Sequence, residues 1–236
     1  MPDAPTKQIA IVLYPGLTPL DLVGPLQGLS AIPRVDPSYE VMVVGETLDP
    51  VLSDSIISLA PSHTFDDATE PFAIVVPGGG DPTLAAAGHK PLVDYVAEAG
   101  AHAEIVMSVC TGAIILTTAG LLRGRRATTH WAYTDVLENL GVEVVRARWV
   151  EDDKFLTTAG VSAGIDGGIH LVARLLGDDV AKLTQLGMQY EPEPPLGPID
   201  WDPAIIEAVR PIWRPPLADI LATHPHLEAA RSGHPA

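Results

Sequence analysis

The sequence predicts an α/β fold in which helices cover both faces of a mostly parallel sheet. Short apolar, β-prone runs alternate along the chain with segments of helical period, as in successive βαβ units. Of the 236 residues, 47% are hydrophobic and only 19% are charged, so the chain can bury one large core. One apolar run ends at Cys110, where a strand is expected to turn sharply into a helix.

The predicted elements follow from apolar runs, helical periods and the Gly and Pro residues that bound them. Strands are predicted at residues 7–14, 39–44, 72–76, 105–109, 126–129, 142–146, 148–151 and 154–158, with a small hairpin at 51–59. Helices are predicted at residues 20–30, 91–101, 112–122, 131–140, 163–176 and 179–188. The pattern therefore predicts one domain, residues 1–195.

The last part of the chain differs in composition. Residues 190–236 contain ten of the 23 prolines. We expect residues 196–236 to form a proline-rich C-terminal arm with one short helix around residues 204–209, followed by a fraying end.

Charge and cysteine content exclude several functional classes. With 30 acidic and 14 basic residues the net charge is −16, which opposes binding to nucleic acid. A single cysteine excludes a disulfide framework and a multi-cysteine zinc site, and no His or acidic pair has metal-ligand spacing. No signal-peptide pattern or run of ~20 apolar residues is present, so we expect a cytoplasmic protein without a membrane partner.

Cys110 is the leading candidate for a catalytic residue. A thiol at a strand-to-helix turn lies at the carboxyl end of the sheet, near backbone N–H groups and the positive end of a helix dipole, which favour a thiolate. The sequence around it thus predicts a nucleophile elbow with sulfur in place of a serine oxygen. A buried structural cysteine remains an equal alternative, because free cysteine is often a core residue.

Two further loops are expected to meet Cys110, since sites in such sheets lie at the carboxyl ends of the strands. Residues 77–80 are Pro-Gly-Gly-Gly, whose N–H groups at Gly78 and Gly79 could approach a ligand closely. Asp21 follows the first strand, among apolar neighbours early in a helix. It is either a partner of Cys110 or a carboxylate placed to complement the helix dipole.

If Asp21 reaches Cys110, repulsion between the two anions predicts one proton shared by the pair. Burial of the carboxyl would then favour a thiolate beside a protonated Asp21, a nucleophile next to a general acid. No histidine adjoins the cysteine in sequence. His130 is placed at the rim of the site, whereas His170 is expected to be structural.

These segments resemble the PfpI-type superfamily and, within it, the isonitrile hydratases. The resemblance covers residues 7–195 and rests on five blocks: 20–25, 108–112, 119–133, 159–166 and 189–192. It implies a flavodoxin-like sandwich related to class I glutamine amidotransferases, with no cofactor or metal and a homodimeric assembly.

The resemblance also implies site residues and a reaction. Cys110 would be the nucleophile, Asp21 its acidic partner and Thr111 an elbow residue that bonds the acid or the substrate. The expected residues around a small apolar isonitrile are Gly78, Gly79, Leu20, Ile114 and His130, with N–H groups near Gly79 and Thr111 available to developing charge. The implied reaction adds water to R–NC and gives an N-substituted formamide.

Two other functions stay open. The chain could be the ligand-sensing domain of an AraC-type regulator, although it lacks the basic helix-turn-helix region of such proteins. It could also be an oxoaldehyde hydratase or deglycase of the same superfamily.

Overall fold

A seven-stranded sheet forms the centre of the computed structural model, which describes residues 6–232. Within that range the strands, in chain order, are β1 (Lys7–Val12), β2 (Tyr39–Gly45), β3 (Val51–Leu52), β4 (Ser58–Leu59), β5 (His63–Thr64), β6 (Ala73–Val76), β7 (Ile105–Val109), β8 (Arg126–Ala127), β9 (Glu143–Val144), β10 (Trp149–Asp152) and β11 (Phe155–Thr158). The main sheet has the order β10-β11-β7-β6-β1-β2-β5, while β3 pairs with β4 and β8 with β9. In the main sheet β10 is antiparallel to β11, and every other pair is parallel.

Helices flank this sheet on both faces, which confirms the predicted α/β class. In chain order they are α1 (Pro19–Leu29), α2 (Ile32–Val35), α3 (Gly80–Ala86), α4 (Lys90–His102), α5 (Gly112–Thr118), α6 (Thr134–Asn139), α7 (Ala163–Leu176), α8 (Asp178–Gly187), α9 (Pro203–Trp213), α10 (Leu217–Thr223) and α11 (Pro225–Arg231). On one face α1 packs on α7, and on the other α5 packs on α3 and α4. None of the helices in residues 6–232 is long and apolar enough to cross a bilayer.

The parallel central strands are almost completely buried, because helices cover both of their faces. All four residues of β6 and all five of β7 are inaccessible or nearly so. The chain leaves β1, β6 and β7 at the same edge of the sheet, since these three neighbours run in one direction. That edge therefore collects the loops that contain Asp21, Gly78 and Cys110.

The largest departures from the predicted elements involve proline and glycine. A helix, α3, begins at Gly80, where the glycine run predicts only a loop. The C-terminal arm contains three helices instead of one short helix. Proline stands in the first turn of α9 and α11, where its missing N–H costs nothing, and the side chain of Asp202 accepts a hydrogen bond from Ala204 N at 2.7 Å. The short helix expected at residues 204–209 is therefore part of α9, and the expected fraying end contains α10 and α11 up to Arg231.

Glycines set the distance between α1 and α7. A Cβ on Gly168 would lie 2.8 Å from Cα of Pro25 and 3.0 Å from its carbonyl oxygen, both backbone atoms of α1. A Cβ on Gly28, on the opposite helix, would meet Gly168 C at 3.6 Å, an ordinary contact. The two helices thus approach at Gly168 more closely than any side chain allows.

We therefore expect Gly168→Ala and Gly28→Ala to change stability in opposite directions. Gly168→Ala must push α1 away from α7 and should lower the free energy of unfolding by about 1–3 kcal/mol. Gly28→Ala finds room and gains helix propensity, so it should leave stability unchanged or raise it by up to about 1 kcal/mol. Urea unfolding of both variants measures this; equal losses would contradict the packing described for this helix pair.

Candidate active site

Cys110 occupies the sharp turn between β7 and α5. Its φ of 56° lies in the left-handed region, which is unfavourable for a residue with a side chain. Three hydrogen bonds hold it there. Cys110 N donates to the carbonyl oxygens of Ala159, at 2.9 Å, and Thr158, at 3.2 Å, and its own carbonyl accepts from the Thr129 hydroxyl at 2.8 Å. The surroundings thus fix the strained turn that the sequence predicts.

The glycines beside Cys110 allow three loops to touch through their backbones. A Cβ on Gly112 would lie 2.1 Å from the carbonyl oxygen of Val76, and one on Gly78 would lie 2.4 Å from Thr111 N. The sequence analysis gave Gly78 and Gly79 the role of letting a ligand approach. In the structure the atoms that approach them belong to the protein itself.

A directional chain of hydrogen bonds joins these loops. Gly79 N donates to Thr111 Oγ1 at 2.9 Å, and the Thr111 hydroxyl donates to Thr83 Oγ1 at 3.0 Å. Tyr14 donates its one proton to the carbonyl of Pro77 at 2.9 Å, so in its 3.0 Å contact with Thr83 it must be the acceptor. The chain fixes the 77–79 loop at both ends and contains no charged group.

The donors of these loops have partners within the protein. Gly79 N is committed to Thr111 and Gly78 N to Asp21, so neither N–H is free to stabilise charge on a substrate. The hydroxyl of Thr111 bonds Gly79 and Thr83, and not the acid. Thr111 therefore acts on the position of the loop, while its backbone N–H interacts with the Cys110 sulfur.

Asp21 and Cys110 are buried neighbours, as the sequence analysis expects of a catalytic pair. Asp21 is 0% exposed and Cys110 is 4% exposed. Asp21 Oδ2 accepts from Gly78 N at 3.1 Å, whereas Oδ1 has no hydrogen-bond partner among residues 6–232. Each side chain shifts the pKa of the other. An unpaired carboxylate oxygen beside a thiol is placed to accept that thiol's proton.

Burial dominates the protonation of this pair. It raises the pKa of Asp21 from 3.8 to about 7, although the Cys110 thiol and Gly78 N–H act in the opposite direction. Burial, and then the charge of Asp21, also raises the pKa of the Cys110 thiol, and the N–H of Thr111 offsets this only in part. Burial therefore favours a protonated thiol over the expected resting thiolate, because desolvation of the sulfur outweighs the N–H groups at the turn. The pKa of the neighbouring carboxyl, raised to about 7, lies close to neutral pH.

The apolar residues expected around a substrate differ in exposure. Leu20 is 39% exposed, whereas Ile114 is completely buried in the core, as is Leu17. Ile114 was expected to contact substrate, but it lies on α5, whose residues from Gly112 to Thr117 are all buried. It has no surface to offer in this conformation, so only Leu20 provides one.

His130 is half-buried, and burial lowers its pKa to about 4, so the ring is neutral at pH 7. Its Nδ1 accepts from Ala132 N at 3.3 Å, which assigns the ring proton to Nε2. Thr129, the residue before it, binds the carbonyl of Cys110. The structure thus places His130 beside the turn, where the sequence predicts it.

Sequence analysis missed the aromatic and hydroxyl groups that complete the site. Tyr14 and Thr83 form the hydrogen-bond chain, and the Tyr133 hydroxyl donates to Asp81 Oδ1 at 2.8 Å beside Gly80. Tyr133 stands three residues from His130, so a search of the neighbouring positions for aromatic residues could have found it. Nothing in the sequence connects Tyr14 with Thr83.

Access to the sulfur is narrow. A cavity of about 150 Å³ contains Tyr14 and the Glu46–His89 pair, and another of about 230 Å³ lies between Asp135 and the arm, but Cys110 lines neither. Cys110 is itself only 4% exposed, so little of the residue is open to solvent in this conformation. Among residues 6–232 no group of three His, Cys, Asp or Glu side chains could hold a metal ion.

Comparison with known proteins shows what the whole chain is similar to. The chain is 42% identical over 194 residues, 80% of each protein, to "Isonitrile hydratase" of Pseudomonas putida. It is 28% identical over 189 residues to the HTH-type transcriptional regulator CdhR of Pseudomonas aeruginosa, covering 76% of this chain and 53% of that one. A solved THiJ/PfpI family protein from Pseudomonas syringae superposes with a TM-score of 0.82 at 34% identity, covering 96% of this chain and 90% of that protein.

The sequence profile of the DJ-1/PfpI family matches residues 7–174, which include Asp21, Gly78, Cys110 and His130. Since this profile spans most of the chain and the fold superposes on a solved member, the chain belongs to the DJ-1/PfpI family.

Proposed function

We propose that the protein is an isonitrile hydratase, in which Cys110 and Asp21 add water to R–NC and release an N-substituted formamide. The observation that carries the proposal is the buried thiol–carboxyl pair, in which the pKa of Asp21 is raised to about 7. A carboxyl with this pKa can both accept and donate a proton near neutral pH. The 42% identity to the Pseudomonas putida enzyme supports the choice of substrate.

The first step forms a covalent intermediate. Asp21 takes the thiol proton and delivers it to the terminal carbon of the isonitrile, while the sulfur of Cys110 bonds to the same carbon. The product is a thioimidate, R–N=CH–S–Cys110, and Asp21 is again a carboxylate. The thiol thus becomes a nucleophile only as its proton leaves, which agrees with its raised pKa.

The second step consumes water. Asp21 takes a proton from a water molecule whose oxygen bonds to the thioimidate carbon, and then gives that proton to the nitrogen. The resulting R–NH–CH(OH)–S–Cys110 breaks its C–S bond, and the hydroxyl proton returns to the thiolate through Asp21. The formamide R–NH–CHO leaves with both residues restored.

Several finer statements belong to the same proposal. We predict that catalysis depends on the cysteine and needs no cofactor. We also predict a cytoplasmic location, a homodimer, and a division into a domain of residues 1–195 and an arm of residues 196–236. Thr111, Gly78 and Gly79 act in this proposal by holding the loops, and His130 and Leu20 by contacting the substrate.

The regulator-like alternative has weaker support. The chain spans about half the length of CdhR, and its net charge of −16 opposes binding to DNA. A raised carboxyl pKa next to a thiol also suits proton transfer better than ligand sensing.

The first test is turnover of cyclohexyl isonitrile, followed by the appearance of N-cyclohexylformamide. We expect turnover by the native protein and a loss of at least ~10³-fold in Cys110→Ala, with an unchanged circular dichroism spectrum. Methylglyoxal serves as the second substrate. Turnover of methylglyoxal without turnover of any isonitrile would assign the protein to the oxoaldehyde alternative.

The raised pKa values of Asp21 and Cys110 predict how kcat/KM depends on pH. The doubly protonated pair lacks a base, so kcat/KM should rise with pH through about 7, the pKa of Asp21. No decrease is expected up to about pH 9, because the thiol pKa is raised. A rate that is independent of pH between about 5.5 and 9, or that falls with pH, is incompatible with Asp21 as the base.

The same raised pKa makes Asp21 costly to the fold. The unfolded carboxyl ionises near 3.8 and the folded one near 7, so the native state binds more protons between these values and its stability falls as pH rises through them. Asp21→Asn removes this dependence and still offers an oxygen to Gly78 N.

Relative to the native protein, the stability of Asp21→Asn should therefore increase by about 2 kcal/mol between about pH 5.5 and 8, while turnover is lost. Urea unfolding at the two pH values measures the difference. An equal effect of the substitution at both values would show that Asp21 titrates outside this range.

A further inference from the structure

A buried arginine fixes the end of α9 against the rest of the protein, while Ile220 and Leu227 of the following helices are buried in the core. Arg214, which directly follows α9, is 4% exposed, although no residue of α9 itself is buried. Its Nη2 binds both carboxylate oxygens of Asp135, and its Nε donates to the carbonyl of Ala132. Because Nη2 and Nε bind different partners, the direction of the guanidinium is fixed as well as its position. The end of α9 is therefore set by the 130–135 segment.

This anchor places Trp213 against two aromatic residues near the site. The ring centroid of Trp213 lies 6.0 Å from that of His130 and 6.2 Å from that of Trp131, and the last two are 5.5 Å apart. Trp213 is nevertheless 61% exposed, and the other two are half-buried. We call Trp213, Trp131 and His130 the aromatic rim. It leaves a large aromatic surface open to solvent.

The aromatic rim borders the Cys110 turn. Thr129, adjacent to His130, donates to the carbonyl of Cys110 at 2.8 Å. A Cβ on Gly160 would lie 3.2 Å from the His130 ring, and Gly160 follows Ala159, whose carbonyl accepts from Cys110 N. The rim is thus connected to the turn by direct neighbours on two sides.

The shape of an isonitrile makes such a rim useful. Only the terminal carbon of R–N≡C bonds to the sulfur, so the substituent R lies beyond the nitrogen, on the side away from the reacting carbon. Because the residues around the sulfur are buried, R extends towards the surface of the protein. An apolar R group is stabilised there by flat aromatic side chains.

We propose that the aromatic rim binds the substituent of the substrate, and that Trp213 is a specificity-determining residue favouring aryl-bearing isonitriles over methyl isonitrile. The inference rests on the proposed function and adds to it the substrate class. Trp213 touches only the substituent, so it contributes to binding and leaves the proton transfers of Asp21 and Cys110 unchanged.

The test compares benzyl isonitrile with methyl isonitrile in Trp213→Leu. For the benzyl substrate we expect KM to rise about tenfold, with kcat within about twofold of the native value; for the methyl substrate we expect neither to change. Trp213→Phe should keep most of the affinity for the benzyl substrate. Ile212→Ala is the matched control, because Ile212 is the adjacent residue of α9 and is 82% exposed, and it should behave as the native protein.

Asp135→Asn tests the Arg214–Asp135 contact. It replaces no residue of the aromatic rim, but it weakens the contact that fixes the position of Trp213. It should raise KM for the benzyl substrate in the same selective manner. Equal changes for both substrates in Trp213→Leu, or no change for either, overturn the proposal. So does a loss of activity that disappears at high protein concentration, because Trp213 would then belong to a contact between subunits.

A binding measurement distinguishes failure of the aromatic-rim proposal from failure of the proposed isonitrile hydratase function. If the native protein hydrates no isonitrile, calorimetry still tests whether the aromatic rim binds an aromatic substituent. The measurement compares binding of N-benzylformamide to Cys110→Ala and to Cys110→Ala/Trp213→Leu. Binding about tenfold weaker in the second protein supports an aromatic site at the rim. Equal binding, or none, overturns it.

Discussion

The contact of three backbone turns at one edge of the sheet is the constraint on which the site depends. The turns after β6 and β7 approach so closely that Gly78 and Gly112 have no room for a Cβ, and Gly79 has none against Gly16 and Leu17 of the turn after β1. Because no side chain separates them, Gly78 N reaches Asp21 and Gly79 N reaches Thr111. The same approach excludes water from Cys110 and Asp21, and burial is the main cause of both raised pKa values. Packing of glycines therefore determines the proton chemistry of the pair.

This arrangement favours reactivity over stability. A carboxyl with a pKa of about 7 in place of 3.8 costs the native state about 4 kcal/mol above neutral pH. The left-handed φ of Cys110 adds about 1–3 kcal/mol of backbone strain. The uncharged chain through Thr111, Thr83 and Tyr14 holds the loops against these costs without adding a charge that would shift the pair.

The sequence predicts the features that local patterns determine. It does not predict those that depend on packing between segments far apart in the chain. Apolar runs ending in turns locate β1, β6 and β7, and with them the loops that contain Asp21 and Cys110. The state of the thiol could not be predicted, because it depends on how far desolvation outweighs the N–H of Thr111. The burial of Ile114 and the hydrogen bond from Gly79 N to the Thr111 hydroxyl could not be predicted either, since both follow from packing between distant segments. In the arm, the high proline content predicts one short helix, although Pro203 and Pro225 occupy first turns, where proline favours helices.

The arm separates substrate choice from chemistry. The family profile ends at residue 174, so the thiol, the carboxyl and the hydrogen-bond chain lie within the shared domain, whereas Trp213 and Arg214 lie outside it. Arg214 binds Asp135 and the carbonyl of Ala132, which both lie in the segment directly after His130. Arg210 of α9 also pairs with Asp135, at 3.4 Å. Loss of this one carboxylate would leave two arginine charges uncompensated, so the position of Trp213 depends strongly on Asp135. Changes in the arm can therefore alter which substituents the rim accepts while the pair, more than eighty residues earlier in the chain, keeps its geometry.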